Sequence, residues 1–236
     1  MNAMTPEQTS LDRRSAAEIL PIAREFVREH LSRTRAGEYA RRYRFEHCLR
    51  VARIGREVAL KEGLDPDLLE LGCLLHDVGK YDAQVPVDHG RAGALIALEF
   101  LLDAGLDQSL ATELAQGIAM HTDGQWNARN DDHGTPYDAV GREYLRFDGE
   151  PTVLAQSIGD CDNIDRFSLY RVADTLRYVR FMEKSTQLQR AWLEENLEHL
   201  RFQYGYQCAT QEAQNRWVKA LDRQIEFYRQ LNAELG

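Results

Sequence analysis

The sequence predicts an all-α fold. Apolar residues recur at three- and four-residue spacings through most of its 236 residues, and no stretch shows the alternation of a half-buried strand. Glycine, proline and aspartate also fall where helices stop and start. Residues 16–34 place Ile19, Ile22, Ala23, Phe26 and Val27 on one side of a first helix. A second helix, 38–62, turns Phe45, Cys48, Leu49, Ala52 and Val58 inward and Arg41, Arg53 and Arg56 outward. Gly63 stops it, Asp65 can cap the next helix, and Pro66 suits that helix's first turn. The third helix, 66–78, is nearly all apolar and is therefore expected at the centre. A fourth (89–104) ends at Gly105, and a fifth (107–121) comes after it. Residues 122–149, rich in Asp, Asn and Gly, read as a long irregular segment, either a functional loop or a tolerated surface insertion. Helical periodicity resumes over 151–180, and 185–203 and 208–234 read as a C-terminal pair. One domain over 1–236 is expected, with a core at about 38–184 and a helical extension at 185–236.

Composition narrows the function. A hydrophobic fraction of 43% with 28% charged residues is that of a soluble globular chain. The net charge of -9, from 29 Lys and Arg against 38 Asp and Glu, argues against nucleic acid or an anionic membrane as partner. No apolar run approaches membrane-spanning length, and Met1 to Ser10 is polar, so export is not expected. Cys48, Cys73, Cys161 and Cys208 form no CxxC pair, which points to a reducing, cytoplasmic setting.

The most informative stretch is Leu74-Leu75-His76-Asp77-Val78-Gly79-Lys80. A carboxylate at the end of an apolar helix needs a partner or a cation. His47 lies on an otherwise apolar helix face with Val51 and Ile54, where a carbonyl-bonded core histidine is the plainer reading. Later, Asp160, Asp162 and Asp165 occupy a helix whose Leu154, Ile158 and Cys161 imply one buried side, although an exposed acidic face would also fit. Two imidazoles and two carboxylates would suit Mn²⁺, Fe²⁺, Co²⁺, Ni²⁺ or Zn²⁺, with Mg²⁺ less favoured.

In this order and helical context, His47, the His76-Asp77 pair with Gly79-Lys80 behind it, and the distant Cys161-Asp162-Asn163-Ile164-Asp165 segment resemble the HD superfamily of metal-dependent phosphohydrolases over roughly residues 40–170. The resemblance implies an HD-domain-like helical bundle, with additional N- and C-terminal helices, in which His47, His76, Asp77 and Asp162 hold a divalent metal ion. Asp160 is the rival to Asp162. It further implies hydrolysis of a phosphomonoester or phosphodiester, in a nucleotide or similar small molecule, with Asp77 or Asp165 assisting the attacking water and Lys80 contacting phosphate. Members with two metals carry extra histidines in the regions of His89 and His121, so these two are further ligand or phosphate-contact candidates. This chain has His121-Thr122 where the cyclic-dinucleotide phosphodiesterase branch has a His-His pair, and it lacks that branch's Gly-Tyr-Pro element.

Arg91, Arg166 and Arg171 could clamp phosphate oxygens. His133 is expected in solvent, and His30 and His199 have nothing beside them to support a role. Cys48 and Cys161 read as packing residues. The loop 122–149 is expected to set substrate choice if it folds over the cleft. The alternative function is a nucleotide-binding sensor with a retained metal site and little turnover. The C-terminal pair, with Trp192, Trp217 and Tyr228, is either a homodimer surface or packed core.

Overall fold

Side-chain oxygens open most of the helices. The structure, a computed structural model, describes residues 13–128 and 134–235; His133 lies outside them. Ser15 and Glu18 form a capping box at the start of α1 (Ala16–Ser32). Gly37 precedes α2 (Glu38–Glu62), which ends at Gly63 with φ 70°, a conformation that costs glycine little. Asp65 accepts from the Asp67 and Leu68 amides at the head of α3 (Pro66–Leu75). After a 3-10 turn at Pro86–Asp88 comes α4 (His89–Asp103). Asp107, Thr152, Ser168, Ser185 and Thr210 cap α5 (Gln108–Met120), α6 (Val153–Arg166), α7 (Leu169–Tyr178), α8 (Thr186–Phe202) and α9 (Gln211–Glu234). Each cap contributes roughly 1 kcal/mol. Among the described residues there is no strand, only an isolated antiparallel bridge between Tyr137 and Glu143.

As its composition implies, α3 is central. It packs against α1, α2, α5 and α6 and buries Leu68, Leu69 and every residue from Leu71 to Leu75. Complete burial of one such leucine is worth roughly 1.5–3 kcal/mol, so α3 anchors the bundle that frames its own C-terminal end. α9 packs on α6 and α2 and lies against α8. Trp217 and Tyr228, each 1% exposed, are core; the Trp217 ring meets Phe167 edge-on at 4.8 Å, and Trp192 meets Tyr228 edge-on at 5.5 Å.

Two expectations need correction. The buried stripe of α1 runs through Ala16, Ile19, Ala23, Val27 and Leu31; Ile22 falls roughly 120° from its centre and is exposed. The third helix ends at Leu75, not at 78. There the His76 Nδ1 bonds the Cys73 carbonyl, and tighter i to i−3 bonds, from Val78 to Leu75 and from Lys80 to Asp77, turn the chain. Gly79 lets α4 pack against that turn, because a Cβ on it would lie 2.2 Å from the Gly93 amide nitrogen of α4. The stretch 151–180 is helical as expected and divides into α6 and α7. The Ser168 hydroxyl takes the Arg171 amide and starts α7 afresh.

Candidate metal centre

Side chains from several helices converge on one point. His47 comes from the middle of α2, His76 and Asp77 from the end of α3, and Asp162 from α6. The His47 Nε2 lies 3.0 Å from the Asp162 Oδ1, 3.2 Å from the His76 Nε2 and 3.5 Å from the Asp77 Oδ2. The His76 Nε2 lies 3.4 Å from the Asp77 Oδ2 and 3.6 Å from the Asp162 Oδ1. His89 and His121, from α4 and the end of α5, approach the other oxygen of the same carboxylate. Their Nε2 atoms stand 3.1 and 3.7 Å from the Asp77 Oδ1 and 3.2 Å from each other. Asp77 thus lies between two donor groups.

This donor set fits a divalent cation on three observations. A carbonyl oxygen can only accept, so the Nδ1 of His76, His89 and His121, bonded to the Cys73, Pro86 and Ile118 carbonyls, carries the proton. The Nδ1 of His47 likewise meets the Asp165 carboxylate at 2.8 Å. All four Nε2 lone pairs therefore point inward, the arrangement that outer partners impose on metal-binding histidines. Lone pairs facing each other at 3.2 Å repel unless a proton or a metal cation lies between them. The Asp77 Oδ1, in turn, is buried without a hydrogen-bond donor, although His89 is close. Ligands about 2.0–2.2 Å from a metal stand roughly 3–3.5 Å apart, which is the spacing observed.

Charge is arranged to suit. Burial would raise the Asp77 carboxyl, but the adjacent Arg44 guanidinium and His76 hold it well below the usual carboxylate range. Asp162 is likewise raised by burial and held well below that range by His47 and His76. Burial lowers the His121 pKa despite the pull of Asp77, which favours the neutral, ligating imidazole. Burial pushes the Cys48 thiol up to about 11, so it is a packing residue and not a nucleophile.

Beside these groups opens a cleft of about 380 Å³ whose walls include Lys80, Arg44, Arg166, Arg171 and Thr122. The Lys80 Nζ sits 3.2 Å from the His89 Nε2. Neither Arg166 nor Arg171 has a carboxylate partner among the described residues, and the Arg171 Nε is buried without one. A local cationic wall thus stands in a chain of net charge -9.

Other candidates lie elsewhere. Asp165 is behind His47: its Oδ2 accepts a hydrogen bond from the His47 Nδ1–H, and Arg50 grips both oxygens at 2.9 and 3.1 Å. That position orients the imidazole, and Asp165 does not line the cleft beside the metal centre, where the expected base role would put it. The Asp160 carboxylate takes the Tyr206 hydroxyl and the Ala209 amide, each at 2.7 Å, pinning the α8–α9 connection and leaving Asp162 as the carboxylate that faces the histidines. Arg91 is buried and consumed by Asp88, Asp123 and the Gln125 carbonyl, so it does not reach the cleft. Its network positions the residues either side of it, because Asp88 immediately precedes His89. Of the described residues in 122–149, only Thr122 lines the cleft. His30 pairs with Asp82 at 3.0 Å and does not line the metal-side cleft.

The sequence pattern does not single out Arg44 and Arg50, which hold Asp77 and Asp165. The available signal was register, since each stands about one helical turn from His47 on α2.

An HD domain family model matches residues 44–166, a span that contains all four imidazoles and both carboxylates of the centre. A deoxyguanosinetriphosphate triphosphohydrolase-like protein of Streptomyces coelicolor is 42% identical over 64 residues, 27% of this chain, and the match spans only 14% of that protein's length. Among solved structures, a predicted HD superfamily hydrolase from an uncultured Thermotogales bacterium superposes with a TM-score of 0.61 at 19% identity, covering 92% of this chain and 94% of the other. Bacillus subtilis YpgQ in complex with ADP superposes at 0.59 with 15% identity, covering 93% and 96%. At these identities the structural likeness is one of fold.

Proposed function

This chain belongs to the HD domain family, and on that premise we propose that it is a metal-dependent phosphohydrolase acting on a nucleotide or similar small phosphorylated molecule. The observation that carries the reading is the convergence of four inward-facing imidazoles and two carboxylates beside a cationic cleft. His47, His76, Asp77 and Asp162 hold a divalent ion; the mixed nitrogen and oxygen donors suit Mn²⁺, Fe²⁺, Co²⁺, Ni²⁺ or Zn²⁺ better than Mg²⁺. His89 and His121, on the other oxygen of Asp77, form a second ligand group. When bound, the ion supplies Lewis-acid polarisation and makes water a nucleophile near neutral pH.

The chain's own groups do the rest. Lys80, Arg166 and Arg171 receive phosphate oxygens and stabilise the charge that gathers on them. The Asp77 carboxylate, which lines the cleft, takes a proton from the attacking water. Arg44 fixes the Asp77 side chain, and Asp165 fixes His47. A nucleotide substrate is supported by the ADP bound to a protein of this fold and by the partial likeness to a triphosphohydrolase-like protein. A cytoplasmic setting is supported by four free cysteines. No helix among the described residues is long and apolar enough to cross a membrane.

The test is metal content on the purified protein, followed by phosphate release from nucleoside mono-, di- and triphosphates with Mn²⁺, Co²⁺, Ni²⁺ and Mg²⁺. We expect turnover that His76→Ala and Asp77→Ala abolish together with metal binding. Retention of both metal and turnover in those variants would overturn the reading, and saturable nucleotide binding without turnover under any metal would favour the sensor instead.

A further inference from the structure

A second cleft, of about 540 Å³, opens on the far side of the Asp165–His47 pair, between α2, the end of α6, the start of α7 and α9. It is within the size of small-molecule sites. Five cations line it against two carboxylates. Arg50 is taken by Asp165, and Arg216 by Glu212 and Glu57. Arg53, Lys219 and Arg223 have no ion-pair partner among the described residues. Three unneutralised cations on two helices, facing one cleft of an acidic chain, repel one another and are retained at some cost. An anion relieves that cost. The amino end of α7, a ten-residue helix, opens at the same cleft and adds to the attraction.

The floor is not merely charged. Ile54 and Phe167 are apolar, and the half-exposed Tyr170 ring stacks on the Arg50 guanidinium at 4.2 Å. A rigid aromatic face beside several cations suits a planar base attached to a phosphate chain. We propose that this cleft binds the polyphosphate group of a nucleotide, at a site distinct from the metal centre. The inference does not rest on the catalytic reading, because none of its three free cations lines the metal-side cleft. Arg50 belongs to both places: it walls the second cleft and holds the carboxylate that orients His47.

The experiment is calorimetric titration of the metal-free full chain, in chelator, with inorganic tripolyphosphate and with ATP. The comparison is between wild type, Arg53→Glu/Lys219→Glu/Arg223→Glu, and Lys80→Glu/Arg166→Glu. All three surface cations are exposed, and far-UV circular dichroism confirms that each variant folds. We expect the first variant to weaken tripolyphosphate binding at least about tenfold, and raised salt to weaken it too. The second variant should retain a site sensitive to the first set of substitutions. ATP binding tighter than tripolyphosphate, with the difference lost in Tyr170→Ala, supports base contact; equal affinities support the phosphate chain alone. Absence of binding, or binding abolished by Lys80→Glu/Arg166→Glu and untouched by the triple reversal, overturns the proposal.

Discussion

Asp165→Asn separates a positioning carboxylate from a base. In the structure the Asp165 carboxylate accepts hydrogen bonds from the His47 Nδ1–H at 2.8 Å and from two nitrogens of Arg50. Burial would raise its pKa, but the bonds from His47 and Arg50 outweigh that and hold it below the usual range. Asparagine keeps the shape and one acceptor oxygen and removes the charge. His47 then loses the field that makes its Nε2 a strong donor, and Arg50 loses its counter-charge. Outer partners of ligating histidines are worth ~10- to 100-fold in metal affinity, or about 1.4–2.7 kcal/mol. The assay is Mn²⁺ titration by calorimetry alongside kcat at limiting and saturating Mn²⁺. The expected result is weaker metal binding with kcat restored by excess metal. Unchanged metal affinity with kcat lost at saturation would refute the positioning role and return Asp165 to the base role.

Asp162→Asn should abolish metal binding, whereas Asp160→Asn should leave it intact and cost ~1–3 kcal/mol of unfolding free energy in urea, because an NH2 group replaces one of the two accepting oxygens and either the Tyr206 or the Ala209 donor loses its acceptor. Arg91→Ala strips a buried cation from Asp88 and Asp123; denaturant melts should show a loss of ~3–5 kcal/mol. Gly79→Ala forces a Cβ against the Gly93 backbone, so stability should fall by ~1–3 kcal/mol and metal affinity with it, read by thermal melts and calorimetry. Asp138, raised by burial but held lower by the Arg142 and Val140 amides and the Arg142 side chain, has a depressed carboxyl. Its stabilisation is present above the ordinary carboxylate pKa and is lost as pH falls through the lower, folded value. Cleavage of residues 134–149 by an acid-stable protease should therefore rise in that window, and Asp138→Asn should flatten the dependence.

Much of this protein is written locally. Helical spacing, caps such as Asp65 and Ser15, and the Gly63 stop depend on neighbours in sequence, so the all-α class and the elements' order were legible without coordinates. So was the His76-Asp77 step, because a carboxylate ending an apolar helix needs an explanation wherever the chain goes. Roles assigned by direction in space were not legible. Asp160, Asp162 and Asp165 share one helix, and only the placement of α6 against α2 and α9 sends one to the histidines, one behind His47 and one to the α8–α9 connection. Likewise Arg91 reads as a phosphate clamp until Asp88 and Asp123 close around it, and Ile22 reads as core until the stripe of α1 is fixed by what it packs against. Periodicity states which residues share a face. Which partner waits there depends on helices brought together from far along the chain, so the bridging position of Asp77 between two pairs of imidazoles was decided by the tertiary structure alone.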